Sequence, residues 1–215
     1  MTALNYEVLH ENVYYFPGAI ADISNVMATL DEVSNESISP WQTWYANNDD
    51  KESRYGDLKV LSYSKLDSEP NESIRNKSEY VLTSILSPME AACREFMKQH
   101  GASEDEIEYM TKDLLHGGHD FGIRRYDESR DMGPHPDMVV DGRETITIAV
   151  YLDDEYTGGE LAIVHKGLDV VIKNVAGSIV VFPSNYLHES RMLTSGRKTI
   201  MTHVHLAMAK ILEGN

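Results

Sequence analysis

From His119 onward the chain breaks into short runs rich in Val, Ile, Thr and Tyr, namely FGIRRY, ETITIAVYL, ELAIV, DVVI, SIVVF and KTIMTHVHL, separated by Gly, Asp and Pro. Residues of this kind fit a pleated, half-buried surface, and strands that short with turns between them close into an antiparallel sandwich or barrel. The preceding half reads as helical. Helices first and strands afterwards predict a mainly β chain of the α+β class, in which N-terminal helices buttress one face of the β core and so bury both faces of one sheet. We therefore expect a single domain over residues 1–215, with residues 1–118 as a helix-rich support and residues 119–209 as the β core.

Within the support, Val8 to Phe16 reads as a strand and Pro17-Gly18 opens a helix over Ala19 to Val33, with Ile20, Ile23, Met27 and Leu30 on one face. A second helical block spans Glu72 to His100, with Pro88 placed to begin a new helix after Ser87. Ser103 caps a further short helix, and Glu106 stands three residues on in capping-box position. The polar stretch Asn47 to Asp57 reads as a loop, either solvated or a lid.

Composition narrows the function. The single cysteine, Cys93, excludes a disulfide framework and a Cys-rich zinc site, and fits a reducing compartment. No basic leader or membrane-length apolar window is present, which leads us to expect a cytoplasmic protein without a membrane partner. The net charge of −16 argues against nucleic acid as a partner and favours a cationic peptide or amine, although acidity also serves solubility.

The chemistry concentrates in His135-Pro136-Asp137, just before the strand Glu144 to Leu152. In an extended segment residues two apart project to one side, so one imidazole and one carboxylate can meet one metal. His188 follows the apolar strand Ser178 to Phe182 and a turn at Pro183-Ser184-Asn185, and supplies a third ligand. Two histidines and a carboxylate that leave positions open are the donor set of non-heme Fe(II) oxygenases. Nine residues after His188 comes Arg197, beyond the turn Leu193 to Gly196. If Met192 pairs with Arg197, His188 lies opposite Met201, and Arg197 shares the inward parity of Met201. An arginine so placed reaches back to hold a carboxylate by a bidentate pair.

The motifs RRYDESRDMGPHPD, TIAVYLDDEYTGGEL, GSIVVFPSNYLHES and SGRKTIMTHVHL, in this order over about Arg124 to Leu206, resemble the catalytic core of 2-oxoglutarate oxygenases of the prolyl 4-hydroxylase type. The resemblance implies a double-stranded β-helix of jelly-roll or cupin-like form. It implies Fe(II) held by His135, Asp137 and His188, with 2-oxoglutarate and O₂ as co-substrates. It further implies that Arg197 binds the 5-carboxylate, that Tyr151 donates its hydroxyl to the same carboxylate, and that Tyr126 lines the co-substrate pocket nearer the iron. The expected activity is a dioxygenase that hydroxylates an unactivated C–H bond on a peptide or protein, as prolyl 4-hydroxylases do. A hydroxylase of a small molecule or free amino acid is the alternative, and a non-catalytic cupin-like metal- or ligand-binding module is the reading from another class.

Several residues stay open at this level. Thr199 is placed to assist Arg197, and His203 shares the strand face of Arg197 and Met201. His116 and His119, in HGGH, precede the β core and fit a loop. Arg124, Arg125 and Arg130 stand near the expected mouth, where an arginine can grip a substrate carboxylate or simply be solvated. The substrate and the oligomeric state are not encoded in these motifs.

Overall fold

The computed structural model describes residues 4–37, 41–43, 59–62, 68–116, 122–128, 131–137, 145–173 and 175–206. Strands β1 (Glu7–His10) and β2 (Val13–Phe16) form a hairpin whose turn passes through Asn12 at φ 57°. This hairpin replaces the single strand expected there, because the turn can use asparagine in the left-handed region. Helix α1 (Ile23–Glu36) starts four residues later than the periodicity suggests.

Strands β3 (Gln42–Thr43) and β4 (Lys59–Ser62) precede α2 (Glu72–Gln99), which runs unbroken through Pro88. Asn71 caps α2 by accepting from the Ser73 N–H, and the apolar row Ile85, Met89, Cys93 and Phe96 is buried against the sheet, so tertiary packing outweighs the proline. Helix α3 (Glu104–His116) opens with the expected capping box: the Ser103 N–H donates to Glu106 Oε2 at 2.7 Å, and the Glu106 N–H donates to Ser103 Oγ at 3.4 Å. His116 closes this helix, whereas His119 and the 47–57 loop lie outside the described residues. No helix of the described residues is long and apolar enough to cross a membrane.

The remaining strands are β5 (Gly122–Tyr126), β6 (Met132–His135), β7 (Thr145–Tyr151), β8 (Tyr156–Gly158), β9 (Leu161–His165), β10 (Leu168–Ile172), β11 (Ile179–Pro183), β12 (Leu187–Ser190), β13 (Leu193–Gly196) and β14 (Lys198–Leu206). They assemble into an eight-stranded sheet in the order β1-β2-β11-β7-β14-β5-β4-β3, a four-stranded sheet β10-β9-β12-β6, and a two-stranded ribbon of β13 with β8. All assigned pairings are antiparallel.

Strand β7 shows how the core divides. Ile146, Ile148 and Val150 join the helix-side core with Phe96, Met89 and Leu30, while Ala149 and Tyr151 join a second core with Leu161, Ile163, Phe182 and Ile200. Alternation along one strand thus feeds two cores, and β7 is buried over its whole length. The larger sheet is the shared wall, with helices on one face and the smaller sheet on the other.

Candidate functional site

Between the two sheets lies a cavity of about 340 Å³, within the range of small-molecule sites. β12 pairs with β6 so that His188 lies opposite His135, and their rings stand 4.5 Å apart. Asp137 follows β6, and its N–H donates to the Ser184 carbonyl at 2.9 Å, which anchors the segment beside the turn that leads to His188. Asp137 Oδ1 is 3.8 Å from His135 Nε2, and Asp137 Oδ2 is 3.5 Å from His188 Nε2. One ligand atom from each of the three residues falls within 4.8 Å of the others.

The surroundings set the protonation and orientation of these side chains. His135 Nδ1 is 2.7 Å from the Gly133 carbonyl and His188 Nδ1 is 3.0 Å from the Tyr186 carbonyl. A carbonyl only accepts, so each Nδ1 carries the proton and each Nε2 offers its lone pair to the cavity. Burial holds His188 below the ordinary imidazole range against the pull of Asp137, which favours the neutral form that binds metal. The Thr147 hydroxyl donates to Asp137 Oδ2 and is linked to Ser184 Oγ at 2.9 Å, so the carboxylate is oriented by the wall of the larger sheet. Two imidazole nitrogens and one oriented carboxylate fit Fe(II).

At the other end of the same cavity the structure places Lys198, not Arg197. Lys198 is 1% exposed, and its ammonium donates to the Gly159 carbonyl at 2.6 Å and Ser190 Oγ at 2.8 Å. Its Nζ lies 5.4 Å from the ring centroids of both Tyr126 and Tyr151. Among the described residues no carboxylate forms an ion pair with it, and burial pushes its pKa down to about 7. The Tyr151 hydroxyl is buried in this region without a hydrogen-bond partner among the described residues, and burial holds it well above the usual phenol range, so it remains a donor. A buried cation and an orphaned donor that share one cavity are suited to a carboxylate brought by a ligand. 2-Oxoglutarate fits that description.

The inward parity expected for Arg197 is therefore corrected. β12 and β14 belong to different sheets: β12 lies between β9 and β6, and β14 lies between β7 and β5. The chain between them detours through β13, which pairs with β8, and turns at Gly196 with φ 82°. A Cβ at Gly196 would come within 2.6 Å of the Glu155 carbonyl oxygen, so the turn requires glycine there. The turn delivers Lys198, Ile200 and Thr202 to the cavity, while Met201 joins the helix-side core. Arg197 is exposed and borders a separate surface depression with Asp31, Asp153, Asp154 and Glu155. The Thr199 N–H donates to Asp153 Oδ1 at 2.8 Å, and neither Thr199 nor His203 lines the cavity.

Tyr126 and Tyr151 both line the cavity. Tyr126 pairs across the sheet with Lys198, and its hydroxyl contacts Met132 Sδ at 3.9 Å on the strand that carries His135. Of the three arginines, Arg124 lines the cavity, Arg125 turns to the helix side against Asp31 and Trp41, and Arg130 lies outside the described residues. Lys198 is the residue that reasoning from sequence overlooked. Its signal was its shared parity with Ile200 and Thr202.

This architecture is a helix-buttressed double-stranded β-helix enclosing a two-histidine, one-carboxylate group. Residues 121–205 match the family model of the 2OG-Fe(II) oxygenase superfamily. A PKHD-type hydroxylase from Acaryochloris marina is 30% identical over 86 residues, which cover 38% of this chain and 39% of the relative. A PKHD-type hydroxylase from Shewanella frigidimarina is 33% identical over 86 residues, 35% of this chain and 38% of the relative. The matched stretch thus spans about two-fifths of the length of these curated relatives. In structure, the chain is similar to a prolyl hydroxylase from Trichoplax adhaerens solved with a hypoxia inducible factor peptide, with a TM-score of 0.61 at 12% identity over 95% of this chain and 87% of that one. It is also similar to a Pseudomonas putida prolyl-4-hydroxylase, with a TM-score of 0.57 at 16% identity over 91% of this chain and 93% of that one.

Proposed function

We propose that residues 1–215 act as a single 2-oxoglutarate oxygenase domain, an Fe(II)-dependent dioxygenase that hydroxylates an unactivated C–H bond of a prolyl substrate. The observation that carries this reading is the pairing, in one cavity, of the His135, Asp137 and His188 donors with a buried Lys198 that no described carboxylate pairs. When bound, iron with 2-oxoglutarate and O₂ supplies the oxidising power for hydroxylation, and 2-oxoglutarate leaves as succinate and CO₂.

The chain's own residues would divide the rest of the work. His135 and His188 would present Nε2 to the metal, and Asp137, held by Thr147, would present its carboxylate. Lys198 and the Tyr151 hydroxyl would bind the distal carboxylate of the co-substrate, with Tyr126 walling the same end. Leu161, Phe182 and Ile200 exclude water between the two ends, which strengthens each charge interaction inside.

A prolyl residue in a peptide is favoured as substrate because the Trichoplax adhaerens relative is a prolyl hydroxylase bound to a peptide and the curated relatives are PKHD-type hydroxylases. A free amino acid acted on by the same site is the second reading, favoured by the cationic Arg124 on the cavity wall. The test is succinate release from 2-oxoglutarate by iron-loaded protein on exposure to O₂, with proline-containing peptides and free L-proline as separate additions. Succinate formation stimulated by either addition supports the reading. Absence of succinate under every condition, with folded and iron-loaded protein, refutes it.

A further inference from the structure

Lys198 opens β14, and the turn at Gly196 delivers it into the cavity. Beyond the rings of Tyr126 and Tyr151, its Nζ has two hydrogen-bond partners among the described residues, the Gly159 carbonyl at 2.6 Å and Ser190 Oγ at 2.8 Å. An ammonium carries three N–H donors, whereas a neutral amine carries two and a lone pair. Two acceptors therefore satisfy the neutral amine and leave its lone pair unused. Burial favours the same form, since it pushes the pKa down to about 7 against the upward pull of the Asp153 and Glu160 carboxylates. A lysine desolvated in this way is a nucleophile near neutral pH.

The space around it suits a small apolar electrophile. Leu161, Phe182 and Ile200 wall the cavity beside the two tyrosine rings, so a neutral linear molecule such as CO₂ enters at little desolvation cost. Donors for an anion formed on Nζ are also in place. The Tyr151 hydroxyl is fully buried with no partner among the described residues, and the Ser190 hydroxyl already touches Nζ.

We infer that CO₂ adds to Nζ of Lys198 and forms a carbamate that closes the cavity to 2-oxoglutarate. The Nζ lone pair makes the N–C bond, one C–O π pair moves onto oxygen, and one amine proton passes to solvent. No oxidant or reductant takes part. The remaining N–H keeps the Gly159 carbonyl as acceptor, and the new oxygens accept from Tyr151 and Ser190. Because the co-substrate carboxylate binds the ammonium, carbamate and 2-oxoglutarate exclude each other. Formation of the carbamate needs only this lysine, whereas its competition with 2-oxoglutarate rests on the oxygenase reading and makes CO₂ a restraint on the reaction that releases it.

The test has two arms. In the first, the metal-free chain is equilibrated with isotopically labelled bicarbonate at about pH 8, where the buried amine is mostly neutral, and the adduct is fixed by alkylation with an oxonium reagent and mapped by peptide mass spectrometry. Label is expected on Lys198 in excess over the exposed, ion-paired Lys166, and in Tyr151→Phe it should fall several-fold although the lysine is retained. In the second, Fe(II)-loaded chain is titrated anaerobically with 2-oxoglutarate, with and without CO₂ at matched pH and ionic strength. At the CO₂ level that labels half of Lys198, the apparent Kd should rise about twofold, as mass action requires of a competitor at half occupancy. Lys198→Arg keeps a cation without a nucleophilic amine, and should show neither the label nor the shift. Absence of label on Lys198, labelling no greater than on Lys166, undiminished label in Tyr151→Phe, or a CO₂ effect that survives in Lys198→Arg overturns the inference. A chain that binds 2-oxoglutarate but takes no label fails the inference alone, while one that takes the label and never binds 2-oxoglutarate fails the oxygenase reading and with it the competition.

Discussion

Replacing Lys198 by methionine removes a buried cation that the apoprotein accommodates with one carbonyl and one hydroxyl. Burial lowers its pKa from 10.5 to about 7. Between these values the unfolded chain binds more protons than the folded one, so stability rises with pH across that window. The cost of carrying the charge is fully present below the folded value and is relieved as pH rises above it. Integrated from about pH 6 to about pH 9, the relief is about 2.7 kcal/mol. The stability of the metal-free wild type relative to Lys198→Met should grow by about that amount over the interval, as read by urea denaturation of both proteins. Hydrogen bonds lost in the variant displace its curve by a constant and leave the difference in slope intact. 2-Oxoglutarate should reverse the effect by supplying the missing carboxylate. Its binding at about pH 8 should then take up close to one proton, measured by calorimetry in buffers of different ionisation enthalpy. Parallel pH profiles for wild type and Lys198→Met, with no proton uptake on binding, would refute a desolvated and unpaired lysine at this position.

Other residues give narrower tests. Tyr151→Phe deletes the orphaned hydroxyl without changing the ring, and should weaken 2-oxoglutarate binding by about tenfold while leaving metal affinity in place. Thr147→Val removes the donor that orients Asp137, and should lower Fe(II) affinity by about 10-fold to 100-fold in a competition assay with a chelator. Met89→Ala opens a cavity where α2 meets the larger sheet, and should cost about 2–5 kcal/mol in urea denaturation, with m unchanged.

Much of the fold was legible because its signals are local. The β runs after His119 became strands, and Ser103 with Glu106 formed its capping box. His135 and Asp137 needed only their spacing and an extended backbone to be brought together, and the turn before His188 was marked by its own residues. The parity of β14 was not legible for a physical reason. Hydrophobic alternation tells inward from outward only when one face is wet, and here Lys198, Thr199, Ile200 and Met201 are all buried, two of them towards the cavity and two away from it. Pairing across the sandwich was equally hidden, since β12 and β14 are close in sequence yet lie in different sheets. Pro88 misled in the same way, because the apolar row that holds α2 together extends on both sides of it.

The acidity of the whole chain does not extend to the described lining of the cavity. A net charge of −16 suggests cationic partners, yet the lining carries Arg124 and Lys198, with Asp137 as its acidic side chain among the described residues. Charge summed over a surface governs long-range encounter, whereas recognition in a buried site follows the few groups that face it.

The central claim is that the metal group and the co-substrate cation share one cavity and that the cation is Lys198. The most direct measurement is anaerobic titration of 2-oxoglutarate into Fe(II)-loaded wild type, Lys198→Met and Arg197→Ala, read by calorimetry and by the visible band that forms when the keto acid chelates iron. Wild type and Arg197→Ala should bind alike, and Lys198→Met should lose at least about tenfold in affinity. Loss in Arg197→Ala with Lys198→Met unaffected would contradict the account.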